Sequence, residues 1–263
     1  MGRRKTTPAA MSTTPGAPNA APMVLKLGWN PPTDQVEAPL FDWSTTPLAE
    51  DYGDAYMKVL DDVFTAEECA SLLALAESDG QWIQAEITGS RGSKIDSEYR
   101  NSDRILRFDH DAAAKIYQRL EPYAHELLEI RAGDPWAGVI GPKGRVKGTW
   151  KLVGLNERLS FLRYGPGTYF REHCDGLLDL PDGRTSRVTI QIYLGEDEVG
   201  GGTTRILGRR KRFYDVEPKK GRVLIFQQRG MWHSGEDVTA GLKYTLRSDL
   251  MFRQESQDGE SKV

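Results

Sequence analysis

His173-Cys174-Asp175 is the first stretch whose residue types could do chemistry. Alternate residues of an extended backbone share a face, so an imidazole and a carboxylate converge there while Cys174 points away. His233, in MWHSG, follows 60 residues later, just past a strand-like run. The other two histidines, His110 and His125, sit in a helix-patterned region without metal-ligand spacing and read as structural or solvated. Two imidazoles and one carboxylate arriving from separate strands fill one face of a metal ion and leave the opposite positions open. That donor set suits Fe(II) better than structural zinc, which favours thiolates in a closed shell. His-x-Asp alone is a weak signal. Lys243, ten residues after His233, strengthens it. Its side chain shares a strand face with Thr245 and Arg247. An ammonium held near a metal inside a barrel is costly without an anion. A dicarboxylic cosubstrate could chelate the metal at one end and meet the cation at the other. Arg247 competes for that role, because guanidinium binds carboxylate bidentately.

The elements that must position these groups change character along the chain. MKVLDDVF (57–64) reads as a strand, and Thr65-Ala66-Glu67-Glu68 as a capping box. Cys69, Leu72, Leu73 and Ala76 follow at helical spacing, and Gly80 closes the helix. Cys69 is then a core residue. A polar loop (88–103) precedes a second helix, capped by Asp109 or Asp111 and burying Ala113, Ile116, Tyr117 and Leu120. Pro122 suits a first helical position. After Gly154 the pattern turns to period two. Strands are expected at 158–164, 187–194, 203–207, 222–228 and 243–252, separated by Gly, Pro and Asp clusters. Helices followed by short strands predict a mainly β fold, a jelly roll buttressed by N-terminal helices.

The chain has 263 residues and a formal net charge of −3, which argues against a general nucleic-acid binder. No apolar run is long enough to span a bilayer. Two cysteines cannot build a disulfide framework. An intracellular, cytoplasmic location is the expectation, although the Arg-rich, acid-poor start also suits a transit peptide. Residues 1–55 are expected to be disordered or to drape over one domain at 56–254, with helical support at 56–154, the barrel at 155–254 and a disordered tail at 255–263.

The stretch LRYGPGTYFREHCDG…RVTIQIYLGEDEVGGGTTRIL…GRVLIFQQRGMWHSGEDVTAGLKYTLRSDLMF resembles the prolyl 4-hydroxylase-like branch of the Fe(II)/2-oxoglutarate-dependent dioxygenases. The resemblance covers roughly residues 155–253, with several motifs agreeing in order and spacing. It implies a double-stranded β-helix. It implies His173, Asp175 and His233 as iron ligands, and Lys243 as the partner of the 2-oxoglutarate distal carboxylate. Tyr164 matches a tyrosine that hydrogen-bonds the same carboxylate, Thr189 a position lining that pocket, and Thr204 a weaker candidate there. It further implies Fe(II), 2-oxoglutarate and O2, with ascorbate as a candidate reductant. Because Asp175 is present, hydroxylation or another oxidation is expected rather than halogenation.

The substrate is less legible. The peptidyl-proline branch carries tryptophan and histidine on the strand after the lysine, where this chain has Asp249 and Met251. A small-molecule or amino-acid-like substrate is therefore the expectation, with a protein or peptide side chain as the alternative. A non-catalytic jelly-roll binder and a zinc hydrolase on a similar barrel are readings of other classes. The 88–103 loop, Asn101, Arg104 and the 154–158 segment are candidate pocket walls. Arg158 or Arg163 could meet an acidic substrate. If Lys243 takes the cosubstrate, Arg247 becomes another candidate for that acid. The basic run at 205–213 reads as a solvated hairpin tip.

Overall fold

A computed structural model describes residues 23–28, 38–89, 92–195 and 198–255. The expectations for the tail at 1–22 and for nearly all of 255–263 fall outside these residues. The first strand, β1 (Met57–Leu60), is shorter than the run that predicted it. Asp61 and Asp62 turn the chain instead, and Asp62 adopts φ 57°, a left-handed conformation that a short polar side chain tolerates. Helix α1 (Ala66–Glu77) then starts on the expected capping box. Thr65 Oγ1 accepts from the Glu68 amide at 3.2 Å, and Glu68 Oε2 accepts from the Thr65 amide at 3.0 Å. Asp109, rather than Asp111, caps α2 (His110–Leu120), accepting from the Ala112 amide at 2.9 Å.

Eleven further strands matter to the site. In chain order they are β2 (Arg100–Asn101), β3 (Asp103–Phe108), β4 (Thr149–Leu155), β5 (Arg158–Tyr164) and β6 (Tyr169–His173). They continue with β7 (Thr185–Tyr193), β8 (Thr204–Leu207), β9 (Phe213–Val216), β10 (Val223–Gln227), β11 (His233–Gly235) and β12 (Lys243–Gln254). The large sheet runs β1-β10-β7-β12-β5-β3, and the smaller one β9-β8-β11-β6-β2. Their pairings are antiparallel, as a jelly roll requires. Gly221 makes the turn into β10 at φ 76°, where any Cβ would collide with the Phe64 carbonyl.

Period-two alternation sorts the large sheet's two faces. Val188, Ile190 and Ile192 of β7 pack with Cys69, Leu72, Ile116 and Leu120 of the helices in the main core. Thr189 and Gln191 face the other way, into a cavity. Residues 38–55 do more than drape: Trp43, Leu48 and Tyr52 join Tyr193, Leu224 and Phe226 in a second core cluster. The 88–103 segment is not all loop either, since it contributes Gly92–Lys94 and β2.

Beside the cap, the helices are tied by a buried ion pair. Arg119 Nη2 lies 2.7 Å from Glu68 Oε1, with both side chains below 10% exposed. Glu68 also accepts from the Gly28 amide at 2.6 Å. Burial alone would raise its carboxyl, but Arg119 and the two amides outweigh burial and bring it down to about 2. A carboxyl lowered on folding stabilises fully above its ordinary 4.5, and that contribution fades as pH falls towards 2. Glu68→Ala is therefore expected to cost about 3 kcal/mol at neutral pH, as for other broken buried pairs. The gap to wild type should narrow below pH 4.5 in urea titrations. An equal gap at pH 7 and pH 3 would refute the linkage.

Candidate active site

The two histidines meet because their strands are neighbours: His173 of β6 stands directly opposite His233 of β11. A bulge between Phe170 and His173 places one extra residue in β6, so Phe170 rather than Arg171 joins His173 on the inner face. The Phe170 and His173 rings stack at 3.7 Å between centroids. Arg171 points out and pairs with Asp237 at 3.0 Å. Asp175 follows, and its two oxygens each lie 3.9 Å from one imidazole Nε2. The three candidate donor atoms all fall within 4.8 Å of one another.

Their protonation suits a divalent cation. His173 Nδ1 lies 2.8 Å from the Arg171 carbonyl and His233 Nδ1 3.1 Å from the Met231 carbonyl. A carbonyl accepts only, so each Nδ1 carries the proton and each Nε2 presents its lone pair to the cluster. Burial, with the neighbouring His233, pushes His173 down to about 3. Burial lowers His233 as well. Both rings are neutral at pH 7. Burial would raise Asp175, yet Arg247 and the two imidazoles outweigh it and hold the carboxyl well below its ordinary range.

Behind Asp175 lies a buried polar network. Thr189 donates to Asp175 Oδ2 at 2.6 Å, and Arg247 Nη2 reaches Asp175 Oδ1 at 3.2 Å and Asp249 Oδ1 at 3.1 Å. Gln228 donates to Asp249 at 2.8 Å and accepts from Ser186 at 3.0 Å. Burial raises the Asp249 carboxyl despite Arg247. The strand register explains the cluster, since Thr189 pairs with Asp249 and Gln191 with Arg247.

Lys243 occupies another part of the same cavity, opposite Tyr164 in the β5–β12 register. It is 3% exposed, with Nζ 5.2 Å from the Tyr164 ring centroid and 5.7 Å from that of Tyr193. Among the described residues its ammonium forms no ion pair, whereas Arg247 forms two. Burial brings Lys243 down to about 7, against a weak pull from Glu236. Thr204 Oγ1 accepts from Gln191 and from Tyr193, each at 2.8 Å, leaving its own proton free for a cavity acceptor.

The cavity thus gathers His173, Asp175, His233, Tyr164, Thr189, Thr204, Lys243 and Arg247. Of the suspected walls, Arg104 and Arg158 line it, while Asn101 does not. Arg163 faces away, paired with Asp103 at 2.7 Å and stacked 4.8 Å from the Trp82 ring. Cys174, expected to point away, borders the cavity, but burial pushes its thiol up to about 11, so it stays protonated. Sequence reasoning missed Gln191, Gln228 and Phe170. The first was readable, as Gln191 shares Thr189's phase on β7. His110 and His125 are solvated, their side chains 83% and 56% exposed. The basic run is met by acids: Arg209 pairs with Asp51 at 2.8 Å and Arg212 with Glu50 at 3.0 Å.

Residues 159–248 match the model of the 2OG-Fe(II) oxygenase superfamily. As an enzyme the chain is a 2-oxoglutarate-dependent dioxygenase, for which Fe(II) and 2-oxoglutarate are cofactor and cosubstrate. The fold is also that of a prolyl-4-hydroxylase from Pseudomonas putida, at 18% identity, covering 80% of this chain and 95% of that one with a TM-score of 0.52. A viral collagen prolyl hydroxylase from Paramecium Bursaria Chlorella virus-1, in its 2OG complex, aligns at 18% identity over 74% and 95% of the two chains with a TM-score of 0.45. No curated protein matches the chain. Among the described residues no helix is long and apolar enough to cross a membrane.

Proposed function

We propose that the enzyme hydroxylates, or otherwise oxidises, a small-molecule or amino-acid-like substrate, with release of succinate and CO2. In this reading His173, Asp175 and His233 are the iron ligands, and Lys243 receives the distal carboxylate of 2-oxoglutarate. The observation that carries it is the convergence of three candidate donors and a buried ammonium on one cavity of about 800 Å3. That volume lies in the ordinary range for small-molecule sites. The donor set fits Fe(II): two neutral imidazoles and a carboxylate, with no thiolate.

When bound, Fe(II) and 2-oxoglutarate supply the oxidising power drawn from O2. The chain's own residues orient and shield. The Arg171 and Met231 carbonyls hold the imidazole protons away from the cluster. Thr189 and Arg247 fix the Asp175 carboxylate. Thr204 and Tyr164 offer hydroxyls beside Lys243 for the carboxylate end. Phe226, whose ring centroid lies 5.0 Å from that of His233, and Phe170 keep water from the histidines. A second reading, oxidation of a peptide side chain, is favoured by Leu177 and Leu178. They are 51% and 37% exposed at the cavity's edge, where a bound chain could rest on them.

The test is a mass-spectrometric screen of metabolites and peptides with Fe(II), 2-oxoglutarate and O2. The expected result is a product one oxygen heavier, formed one-for-one with succinate, from the metabolite set. A hit confined to peptides would transfer the reading to the second substrate class. Succinate no higher than with His233→Ala, for every compound, would favour a binding module.

A further inference from the structure

Arg247 answers Asp175 and Asp249, and Lys243 is assigned to the cosubstrate, yet three more arginines remain on the cavity wall: Arg100, Arg104 and Arg158. One other carboxylate stands near them, Glu86, which is 3.8 Å from Arg104 and 44% exposed. Arg104 is 9% exposed, and its Nε is buried without a hydrogen-bond partner among the described residues. Among the described residues the Arg158 side chain forms no hydrogen bond or ion pair, only its backbone amide donating, to Asn156. Burial, with Arg247 and Arg100 nearby, lowers its guanidinium from the ordinary value, against the pull of Asp249. Burial and both neighbouring arginines do the same to Arg104. Among the described residues the Arg100 side chain donates only to the Ser102 hydroxyl and the Glu86 carbonyl, each at 3.3 Å, and it lies over the Phe170 ring. Three partly buried like charges share only the half-exposed Glu86 and an Asp249 already held by Arg247, so they repel and are poorly solvated, a cost that an incoming anion lessens.

Arg158 is well separated from the ammonium, with Arg104 between them in register with Leu162. Arg158 and Tyr164 are the two ends of β5, and Lys243 stands opposite Tyr164. Six strand rises put those ends about 20 Å apart. Fe(II) and 2-oxoglutarate together add no net charge, so they do not neutralise the arginines.

Resting on the dioxygenase reading above, we infer that the primary substrate bears an anionic group, a carboxylate or a phosphate, which Arg158, with Arg104, binds on the β3–β5 wall of the cavity. Planar guanidinium forks suit either oxyanion bidentately. Arg100 adds charge, and Phe170 with Leu177 offers apolar wall to the rest of the molecule.

The test is calorimetry on the full chain loaded with Mn(II) and saturating 2-oxoglutarate. Inorganic phosphate and acetate are the two probes, titrated at fixed ionic strength. One anion per chain should bind, and the tighter probe identifies the substrate's acid. Arg158→Gln should weaken it about tenfold or more, as expected for a lost charge-assisted contact. Arg158→Lys should restore much of the loss, and 2-oxoglutarate affinity should stay within about twofold of wild type. Lys243→Ala should do the reverse, losing 2-oxoglutarate and keeping the anion. Arg158 is only partly buried, so its variants serve even where Arg104→Gln fails to fold. Absence of binding by both probes, or equal binding by wild type and Arg158→Gln, would overturn the inference. Failure to load Mn(II) and 2-oxoglutarate would instead count against the dioxygenase reading. The same titration on unloaded protein would then decide the anion site by its dependence on Arg158.

Discussion

Asp175→Ala is expected to abolish substrate-dependent succinate release and to weaken divalent-metal binding by well over a hundredfold. Outer partners of a metal ligand are commonly worth about 10–100-fold in affinity, so removing a donor itself should cost more. Asp175 is also the one anion among the three converging donors, and it is ionised throughout the accessible pH range. The variant should still fold, because Arg247 keeps Asp249 at 3.1 Å and the hydrophobic clusters are untouched. Mn(II) calorimetry and a thermal melt in parallel separate the two effects. Thr189→Val gives a graded companion: it removes the 2.6 Å hydrogen bond to Oδ2 and should weaken metal about tenfold. Wild-type metal affinity in Asp175→Ala would take this carboxylate out of the ligand set.

Lys243→Ala is expected to raise the KM for 2-oxoglutarate about a hundredfold or more. Truncating one partner of a buried charge pair costs about 3–5 kcal/mol, which sets that scale. Arg247→Ala should act differently, lowering metal affinity through Asp175 before it touches the cosubstrate. The reverse pattern would exchange the two assignments. The acid–base behaviour gives an independent check. Burial brings the Lys243 ammonium down to about 7, and only its protonated form attracts a carboxylate. The bound carboxylate raises that value again, so 2-oxoglutarate binding should take up a proton above pH 7 and weaken about tenfold per pH unit there. Titrations in buffers of different ionisation enthalpy measure the uptake. A pH-independent affinity between 7 and 9 would place the carboxylate elsewhere.

Much of this site was legible because its chemistry lies on strands. Period two placed Lys243 with Arg247, and would have placed the missed Gln191 with Thr189, without knowledge of the pairing. The capping box located α1 to the residue, since Thr65 and Glu68 must satisfy each other's amides. What could not be read was register. Nothing local in either segment says that β6 and β11 are neighbours, or that His173 faces His233 across them. The bulge that turns Phe170 inward is a pairing property with no mark in YFREH. Burial of Trp43 and Tyr52 was hidden for a related reason: a proline-rich stretch with sparse aromatics looks loose until a partner surface covers it. The spare arginines show the same limit. The sequence offers Arg158 and Arg163 alike for an acidic group, and only the sheet faces put Arg158 on the cavity wall and Arg163 against Asp103.

The double grip on Asp175 has a bearing on ion selectivity. With Thr189 on one oxygen and Arg247 on the other, the carboxyl plane is held in place and one lone pair of each oxygen is already engaged. In the proposed ligand set the carboxylate would offer few oxygen sites beside two nitrogens. Calcium, which takes six to eight hard oxygens and favours two-oxygen carboxylates, finds a poor seat there. Smaller ions content with mixed nitrogen and oxygen donors are preferred before any competition for affinity begins.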